Sequence, residues 1–260
     1  MARVSISPGN AVGYTDAGSG DAMPIVFLHG VGSDKSVWHP QLAHFGKSRR
    51  AIAFDYPGYG DSDPAPAGTT RDDYAVAILS AMRELGVDRA HICGLSLGGV
   101  IAIAMHHRAP EQCASLILAD TFAVHPDGRA IYERSLAGRT NLPAMAEARV
   151  DVLLTQPADP KVRCEVVETM SRIDPDAYRT GAEAVWLADQ RDRAQNIRVP
   201  TLVLCGTEDR ITPPALSLEL TQIIAGARLQ VISGAGHLTN LEKPEAFNQA
   251  IDHFLAEVEA

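Results

Sequence analysis

The chain has 260 residues, 46% of them hydrophobic, which is enough for one domain with a sizeable core. Its formal net charge is -9 at pH 7, and its one pair of adjacent basic residues, Arg49 and Arg50, stands beside an apolar run. Nucleic acids and anionic membranes are normally bound through a basic patch, so we expect neither as a partner. The first residues hold no apolar run long enough for a signal peptide, and no stretch approaches the roughly 18 apolar residues of a membrane span.

Four cysteines are present, and two of them, Cys93 and Cys205, stand inside apolar runs that indicate buried strands. Cysteines in such runs usually pack as small hydrophobic residues, and no spacing typical of a metal site connects the four. We therefore expect no bound metal, no cofactor and a reducing, cytoplasmic location.

Short apolar runs alternate with longer amphipathic stretches along the chain, which is typical of βαβ units and a mostly parallel sheet. Two weak runs near the start favour antiparallel strands at one edge of that sheet. The predicted strands are 4–7, 12–15, 24–28, 51–54, 90–93, 115–119, 201–205 and 229–232. The predicted helices that alternate with them are 72–85, 97–108, 214–225 and 244–257.

One region interrupts this alternation, because no strand-like run occurs between residues 121 and 196. Helical pieces there are separated by five prolines, at positions 126, 143, 157, 160 and 175. Ligands of open α/β sheets bind at the carboxyl ends of the strands, so we expect this insertion to form a lid there. The prediction is an α/β fold with a mostly parallel eight-stranded sheet flanked by helices. Its core domain comprises residues 1–121 and 197–260, and a helical cap (122–196) is inserted after the sixth strand.

The most specific motif is Gly94-Leu95-Ser96-Leu97-Gly98-Gly99, which follows a predicted strand and opens a predicted helix. This is the G-x-S-x-G nucleophile elbow in the strand–turn–helix context that it requires. Glycines allow the tight turn, which holds the serine in a strained conformation with its hydroxyl exposed. The alternative is a Gly/Ser turn that only begins a helix. The flanking strand and helix favour Ser96 as a nucleophile.

A serine hydroxyl is a weak nucleophile and needs a base to take its proton. Among the nine histidines, His237 stands in the glycine-rich stretch Ser233-Gly234-Ala235-Gly236-His237, directly after the last predicted strand. This position at the edge of the sheet predicts His237 as the base.

A carboxylate should hold the imidazole of the base in one tautomer and stabilise it when protonated. Asp209 follows the strand predicted at 201–205, and the chain order Ser96, Asp209, His237 is the order expected for a nucleophile-elbow hydrolase. Asp120 ends the preceding strand and is the competing candidate for this carboxylate. Its alternative role is to cap the chain where it enters the insertion.

An oxyanion hole needs two N–H donors, one after the nucleophile and one from the loop after an earlier strand. We assign them to the main-chain N–H groups of Leu97 and Val31, the latter in His29-Gly30-Val31-Gly32. His29 is then structural and ties this loop down through its ring nitrogens.

With these motifs assigned, the chain resembles the α/β-hydrolase superfamily over almost its whole length. The motifs are His29 to Gly32, Asp55 to Ser62, Gly94 to Gly99, Asp209 and His237. Within the superfamily it is most similar to the 3-oxoadipate enol-lactonases and small carboxylesterases. That similarity is carried by the stretches 93–99, 205–209 with Thr212-Pro213, and 236–237 with Asn240-Leu241-Glu242.

The resemblance implies a serine hydrolase that cleaves esters or lactones through an acyl-enzyme, as a monomer or homodimer. It also implies a lid tryptophan and a lid arginine that bind a substrate carboxylate. Arg134 matches the arginine, although no tryptophan precedes it. Trp186 is at a different position of the lid and is expected to line the pocket. Rival activities of the same triad are haloperoxidase or perhydrolase chemistry and C–C bond hydrolysis. C–C hydrolases usually carry a tryptophan after the catalytic histidine, where this chain has Leu238. The rival without catalysis is a small-molecule binding protein or receptor.

Overall fold

A computed structural model describes residues 2–260 and contains one sheet of eight strands. The strands are β1 (Ala2–Ser7), β2 (Asn10–Ala17), β3 (Ile25–Leu28), β4 (Ala51–Phe54), β5 (Ala90–Leu95), β6 (Cys113–Ala119), β7 (Thr201–Gly206) and β8 (Arg228–Ile232). All eight predicted strands are present, and their ends differ from the prediction by at most two residues.

The order of the strands across the sheet is β1-β2-β4-β3-β5-β6-β7-β8. Strands β3 to β8 run parallel, whereas β2 is antiparallel to both β1 and β4. The predicted mostly parallel sheet with an antiparallel edge is therefore confirmed. Because parallel strands end at the same edge, the segments that follow β3, β5, β6, β7 and β8 meet there.

Helices cover both faces of the sheet, which explains why the central strands are mostly apolar along their length rather than alternating. The helices outside the insertion are α1 (His39–Phe45), α2 (Arg71–Glu84), α3 (Leu97–Arg108), α9 (Pro214–Ile223), α10 (Thr239–Glu242) and α11 (Pro244–Val258). Two separate clusters of buried apolar side chains result, one on each face of the sheet. The short helices α1 and α10 were not predicted.

The insertion between β6 and β7 is helical, and within it the structure holds no strand longer than an isolated bridge. Its helices are α4 (Gly128–Gly138), α5 (Leu142–Leu153), α6 (Pro160–Ser171), α7 (Pro175–Trp186) and α8 (Arg191–Gln195). Three of its five prolines occupy the first turn of a helix, where the missing N–H costs nothing. The treatment of 122–196 as a separate cap domain remains a prediction.

Within residues 2–260, none of the helices combines the length and the apolar character needed to span a membrane.

Candidate active site

Ser96 occupies the sharp turn between β5 and α3, with φ 55° and ψ -113°. A positive φ is uncommon for a residue with a side chain and typically costs about 1–3 kcal/mol, so the surrounding structure must hold it. The main-chain N–H of Ser96 donates to Ala119 of β6 at 2.9 Å, and the hydroxyl of Thr121 donates to the Ser96 carbonyl at 2.8 Å. The elbow is therefore fixed from the neighbouring strand.

A close approach of two segments explains the glycine two residues after the serine. A Cβ atom on Gly98 would lie 2.1 Å from the carbonyl oxygen of Leu28 in β3, a distance that no real side chain shows. Only glycine lets the start of α3 lie directly against the end of β3. The turn at Ser96 and the loop that follows β3 are thereby brought side by side.

His237 lies in the loop after β8, and its side chain is paired with Asp209. Nδ1 of His237 is 2.8 Å from Oδ2 of Asp209, and the two residues are 4% and 3% exposed. The main-chain N–H of His237 donates to the carbonyl of Leu153, at the end of α5, at 2.8 Å. The histidine is thus held both by a carboxylate of the core and by the insertion.

The carboxylate of Asp209 accepts hydrogen bonds on both oxygens. Oδ1 accepts from the main-chain N–H groups of Ile211 at 2.7 Å and Thr212 at 2.9 Å, and Oδ2 accepts from the Thr212 hydroxyl at 2.6 Å. Burial by itself would raise the pKa of Asp209, but the charge of His237 and these hydrogen bonds outweigh it and lower the pKa to about 2. Asp209 is therefore an anion at neutral pH.

Asp120, the competing carboxylate, is fully buried and has other partners. Oδ1 accepts from the main-chain N–H of Gly206 at 3.0 Å, and Oδ2 accepts from the hydroxyl of Thr239 at 2.5 Å. Burial, and next the negative charge of Asp209, raise the pKa of Asp120 well above its ordinary value. The side chain connects the end of β6 to the end of β7 and to α10, and it makes no hydrogen bond to His237 within residues 2–260.

The loop after β3 borders Ser96, since a Cβ on Gly30 would lie 3.5 Å from the Cβ of Ser96. Nδ1 of His29 is 2.8 Å from the Gly30 carbonyl, and burial lowers the pKa of His29, so the ring is neutral and Nδ1–H is the donor. Among residues 2–260, nothing accepts a hydrogen bond from the main-chain N–H of Val31 or of Leu97. Val31 is 7% exposed and Leu97 is fully buried.

Ser96 and His237 line one cavity beneath the insertion, although no hydrogen bond joins their side chains in the part of the chain that is described. The hydrogen bond between a catalytic serine and its base is often long in the absence of substrate and shortens when substrate binds. Trp186, predicted to line the pocket, is among the cavity residues; it is 2% exposed and stacks on Phe122 with ring centroids 5.9 Å apart. The cavity also contains Val31.

Arg134 does not line this cavity. It is exposed on α4 and borders an adjacent cleft, together with Arg210. The arginine that lines the cavity with Ser96 is Arg149 of α5, which also borders the adjacent cleft. Its guanidinium lies 3.4 Å from the Tyr178 hydroxyl and 3.5 Å from that of Ser135, and no Asp or Glu of residues 2–260 pairs with it.

Sequence reasoning missed Arg149, although a signal was present. The buried face of α5 is formed by Leu142, Met145, Ala146, Val150 and Leu153, and Arg149 falls on this face at helical spacing. A single cation on an apolar helical face indicates a function or a buried partner.

A metal site would need several ligands in one place. Within residues 2–260, no group of three or more His, Cys, Asp or Glu side chains is arranged to hold a metal ion.

A profile described as the alpha/beta hydrolase family matches residues 25–250 of the chain. The chain is 29% identical over 248 residues to 3-oxoadipate enol-lactonase 2 of Acinetobacter baylyi, covering 93% of this chain and 92% of that protein. It is 31% identical over 283 residues to a 2-hydroxymuconate semialdehyde hydrolase of a Pseudomonas species, covering 100% of this chain and 95% of that protein.

Among solved structures, the chain is similar to the enol-lactonase from Burkholderia xenovorans, with a TM-score of 0.90 and 31% identity. The alignment covers 97% of this chain and 99% of that one. The resemblance inferred from the motifs, including the similarity to enol-lactonases, is thereby confirmed.

Proposed function

The chain belongs to the alpha/beta hydrolase family, and we propose that it is a serine hydrolase that cleaves carboxylic esters or lactones with Ser96, His237 and Asp209. The observation that carries this proposal is the buried pair of His237 and Asp209 in the wall of the same cavity as Ser96. An elbow serine, an imidazole and an anionic carboxylate are the three groups that acyl transfer through a serine requires.

In the first half-reaction, Ser96 Oγ attacks the carbonyl carbon while Nε2 of His237 takes its proton. Asp209 accepts from Nδ1, which keeps the proton on that nitrogen and leaves the lone pair of Nε2 for the serine. The free N–H groups of Val31 and Leu97 would stabilise the oxyanion, and Leu97 adds the positive end of α3. The alcohol then leaves with the proton from His237, and an acyl-enzyme remains.

In the second half-reaction, a water molecule loses its proton to His237 and attacks the acyl carbon. The carboxylic acid leaves and Ser96 recovers its proton. For a lactone, the alcohol and the acid stay in one molecule, so the product leaves only after the second step. Burial of Ser96 and His237 keeps bulk water from the site, which strengthens each of these electrostatic interactions.

Arg149 favours substrates that carry an anionic group. A guanidinium with only neutral hydroxyl partners at a partly buried cavity leaves donors available for a carboxylate, the geometry that arginine binds best. The enol-lactonase relatives are named for a lactone of the dicarboxylate 3-oxoadipate. We therefore propose an ester or lactone with a carboxylate as the substrate class, with Arg149 rather than Arg134 as its anchor.

The test compares kcat/KM for p-nitrophenyl butyrate, 3-oxoadipate enol-lactone and 2-hydroxymuconate semialdehyde. Ser96→Ala is the matched blank. Turnover of the ester or the lactone that disappears in Ser96→Ala supports the proposal. A kcat/KM for the lactone a hundredfold higher than that for p-nitrophenyl butyrate supports the anionic substrate class. A preference for the semialdehyde would instead make this a C–C hydrolase, the activity for which the Pseudomonas relative is named. Activity that survives Ser96→Ala would overturn the mechanism.

A further inference from the structure

Glu242, at the end of α10, connects two loops that come from different parts of the chain. Oε1 accepts from the main-chain N–H of Gly236 at 2.9 Å, and Oε2 accepts from the main-chain N–H of Thr155 at 2.7 Å. The hydroxyl of Thr155 donates to the same Oε2. One carboxylate thus binds the residue just before His237 and a residue that follows α5 in the insertion.

The two loops also contact each other directly. The main-chain N–H of His237 donates to the carbonyl of Leu153 at 2.8 Å. A Cβ on Gly236 would lie 2.7 Å from that carbonyl oxygen and 3.1 Å from the Thr155 nitrogen, so any other residue would push the loops apart. The backbone of His237 is therefore defined by the insertion as much as by the core.

We propose that Glu242 is a positioning residue, which holds the main chain at Gly236 and Thr155 so that the imidazole of His237 reaches Ser96. This inference rests on the proposed function. Glu242 does not border the cavity that contains Ser96 and His237; it lines a separate cleft with Thr155, Gly234 and Lys243. It therefore acts on the reaction through the base and not through the substrate.

The effect of losing this carboxylate follows from its bonds. In Glu242→Gln one oxygen becomes an amide nitrogen, which cannot accept from a main-chain N–H and leaves that donor without a partner. A displacement of the base by about 1 Å costs about a hundredfold in rate. We expect kcat to fall 10- to 100-fold and KM for p-nitrophenyl butyrate to stay within twofold of its original value, because the substrate contacts are unchanged.

A role confined to folding would give a different result, and active-site titration separates the two. A fluorophosphonate that reacts to completion labels every folded molecule with an accessible Ser96, even where the base is displaced and labelling is slow, so kcat can be expressed per labelled site. A positioning role lowers kcat per labelled site. A merely structural role lowers the labelled fraction and leaves kcat per labelled site unchanged, which would overturn the proposal.

Two further variants complete the experiment. Glu245→Gln, an exposed glutamate on α11, is the matched control and should leave kcat unchanged. Thr155→Val removes the hydroxyl bond to Glu242 together with a longer contact to the Gly234 carbonyl, and it keeps the main-chain bond to Glu242. We expect a three- to tenfold loss of kcat per labelled site. This variant decides the question if Glu242→Gln does not fold. If the unmodified protein has no turnover that depends on Ser96, the proposed function fails. If it is active and both variants keep their kcat, only the positioning role of Glu242 fails.

Discussion

Nδ1 of His237 lies 2.8 Å from Oδ2 of Asp209, and the same carboxylate accepts three further hydrogen bonds from Ile211 and Thr212. These bonds fix the direction of the carboxylate, and through it the plane and tautomer of the ring. The pKa of about 2 keeps Asp209 ionised at every pH at which the protein would be assayed. If kcat falls at acidic pH, the group that becomes protonated there is therefore not Asp209.

Asp209→Asn should lower kcat about 10⁴-fold, because an amide placed at Nδ1 favours the wrong tautomer of His237. The measurement is kcat for p-nitrophenyl butyrate at pH 7 to 8. Asp120→Asn is the matched control: within residues 2–260 Asp120 accepts from Gly206 and Thr239 and makes no hydrogen bond to His237, so we expect less than a tenfold change in kcat. A larger loss in Asp120→Asn than in Asp209→Asn would identify Asp120 as the partner of the base.

Ser96→Gly should abolish activity and stabilise the protein. The φ of 55° and ψ of -113° at this position are readily adopted by glycine, whereas any side chain is strained there. Release of about 1–3 kcal/mol of strain exceeds the roughly 0.5–1 kcal/mol that glycine costs in the unfolded chain, so we expect a gain of about 1 kcal/mol. Ser96→Ala, which keeps a Cβ, is the control, and thermal unfolding of both variants is the measurement. A Tm for Ser96→Gly no higher than that of Ser96→Ala would show that the strain released at the elbow does not exceed the cost of glycine in the unfolded chain.

The sheet could be predicted from the sequence because its central strands are mostly apolar along their whole length, a pattern that burial on both faces explains. The candidate site followed from the ends of those strands, since Ser96, Asp209 and His237 each stand just after one. Helix α1 could not be predicted in the same way, because seven residues give less than two complete turns of helical periodicity. Helix α10, with four residues, gives even less.

The orientation of the insertion could not be predicted, because periodicity shows that a helix has an apolar face but not what covers it. Arg134 was expected at the substrate from resemblance, and the structure has it exposed on α4, outside the cavity with Ser96. Arg149 at that cavity, and the bonds from Glu242 to Thr155, depend on how α5 packs against the core. Contacts of this kind depend on tertiary packing alone.

Arg149→Met should reduce kcat/KM for an anionic ester such as p-nitrophenyl hemisuccinate about 10- to 100-fold. A hydrogen bond to a charged group contributes about 1.5–3 kcal/mol, which corresponds to this range. The kcat/KM for the neutral p-nitrophenyl butyrate should change less than threefold, because methionine preserves the length and apolar stem of the side chain. The control is Arg134→Met, which removes an exposed arginine of the adjacent cleft and should affect both esters equally little. Equal losses for the two esters in Arg149→Met would exclude an anion-binding role.

At the opposite end of β5 from Ser96, Glu259 ties the C-terminal residues to the core. Its carboxylate accepts from Arg49 at 2.5 and 3.0 Å, and Oε1 lies 2.9 Å from Nε2 of His91. The hydrogen bonds from Arg49 lower the pKa of Glu259; burial opposes this, and the bond to His91 adds to it. The imidazole of His91 is 2% exposed, and burial lowers its pKa, so it is neutral at pH 7.

Glu259→Gln should lower the free energy of unfolding by about 1–2 kcal/mol at pH 7, since one charged acceptor is lost. A carboxyl group with a lowered pKa stabilises the fold at pH values above its ordinary value near 4.5, and that contribution disappears as the pH falls through the lower folded value. The free energies of unfolding of the original protein and Glu259→Gln, measured in urea, should therefore differ most at pH 7, and the difference should shrink below pH 4. Glu257→Gln, which breaks an exposed pair with Arg228, is the control and should cost less than about 0.5 kcal/mol. A difference that stays constant down to pH 3 would show that Glu259 acts through packing and not through its charge.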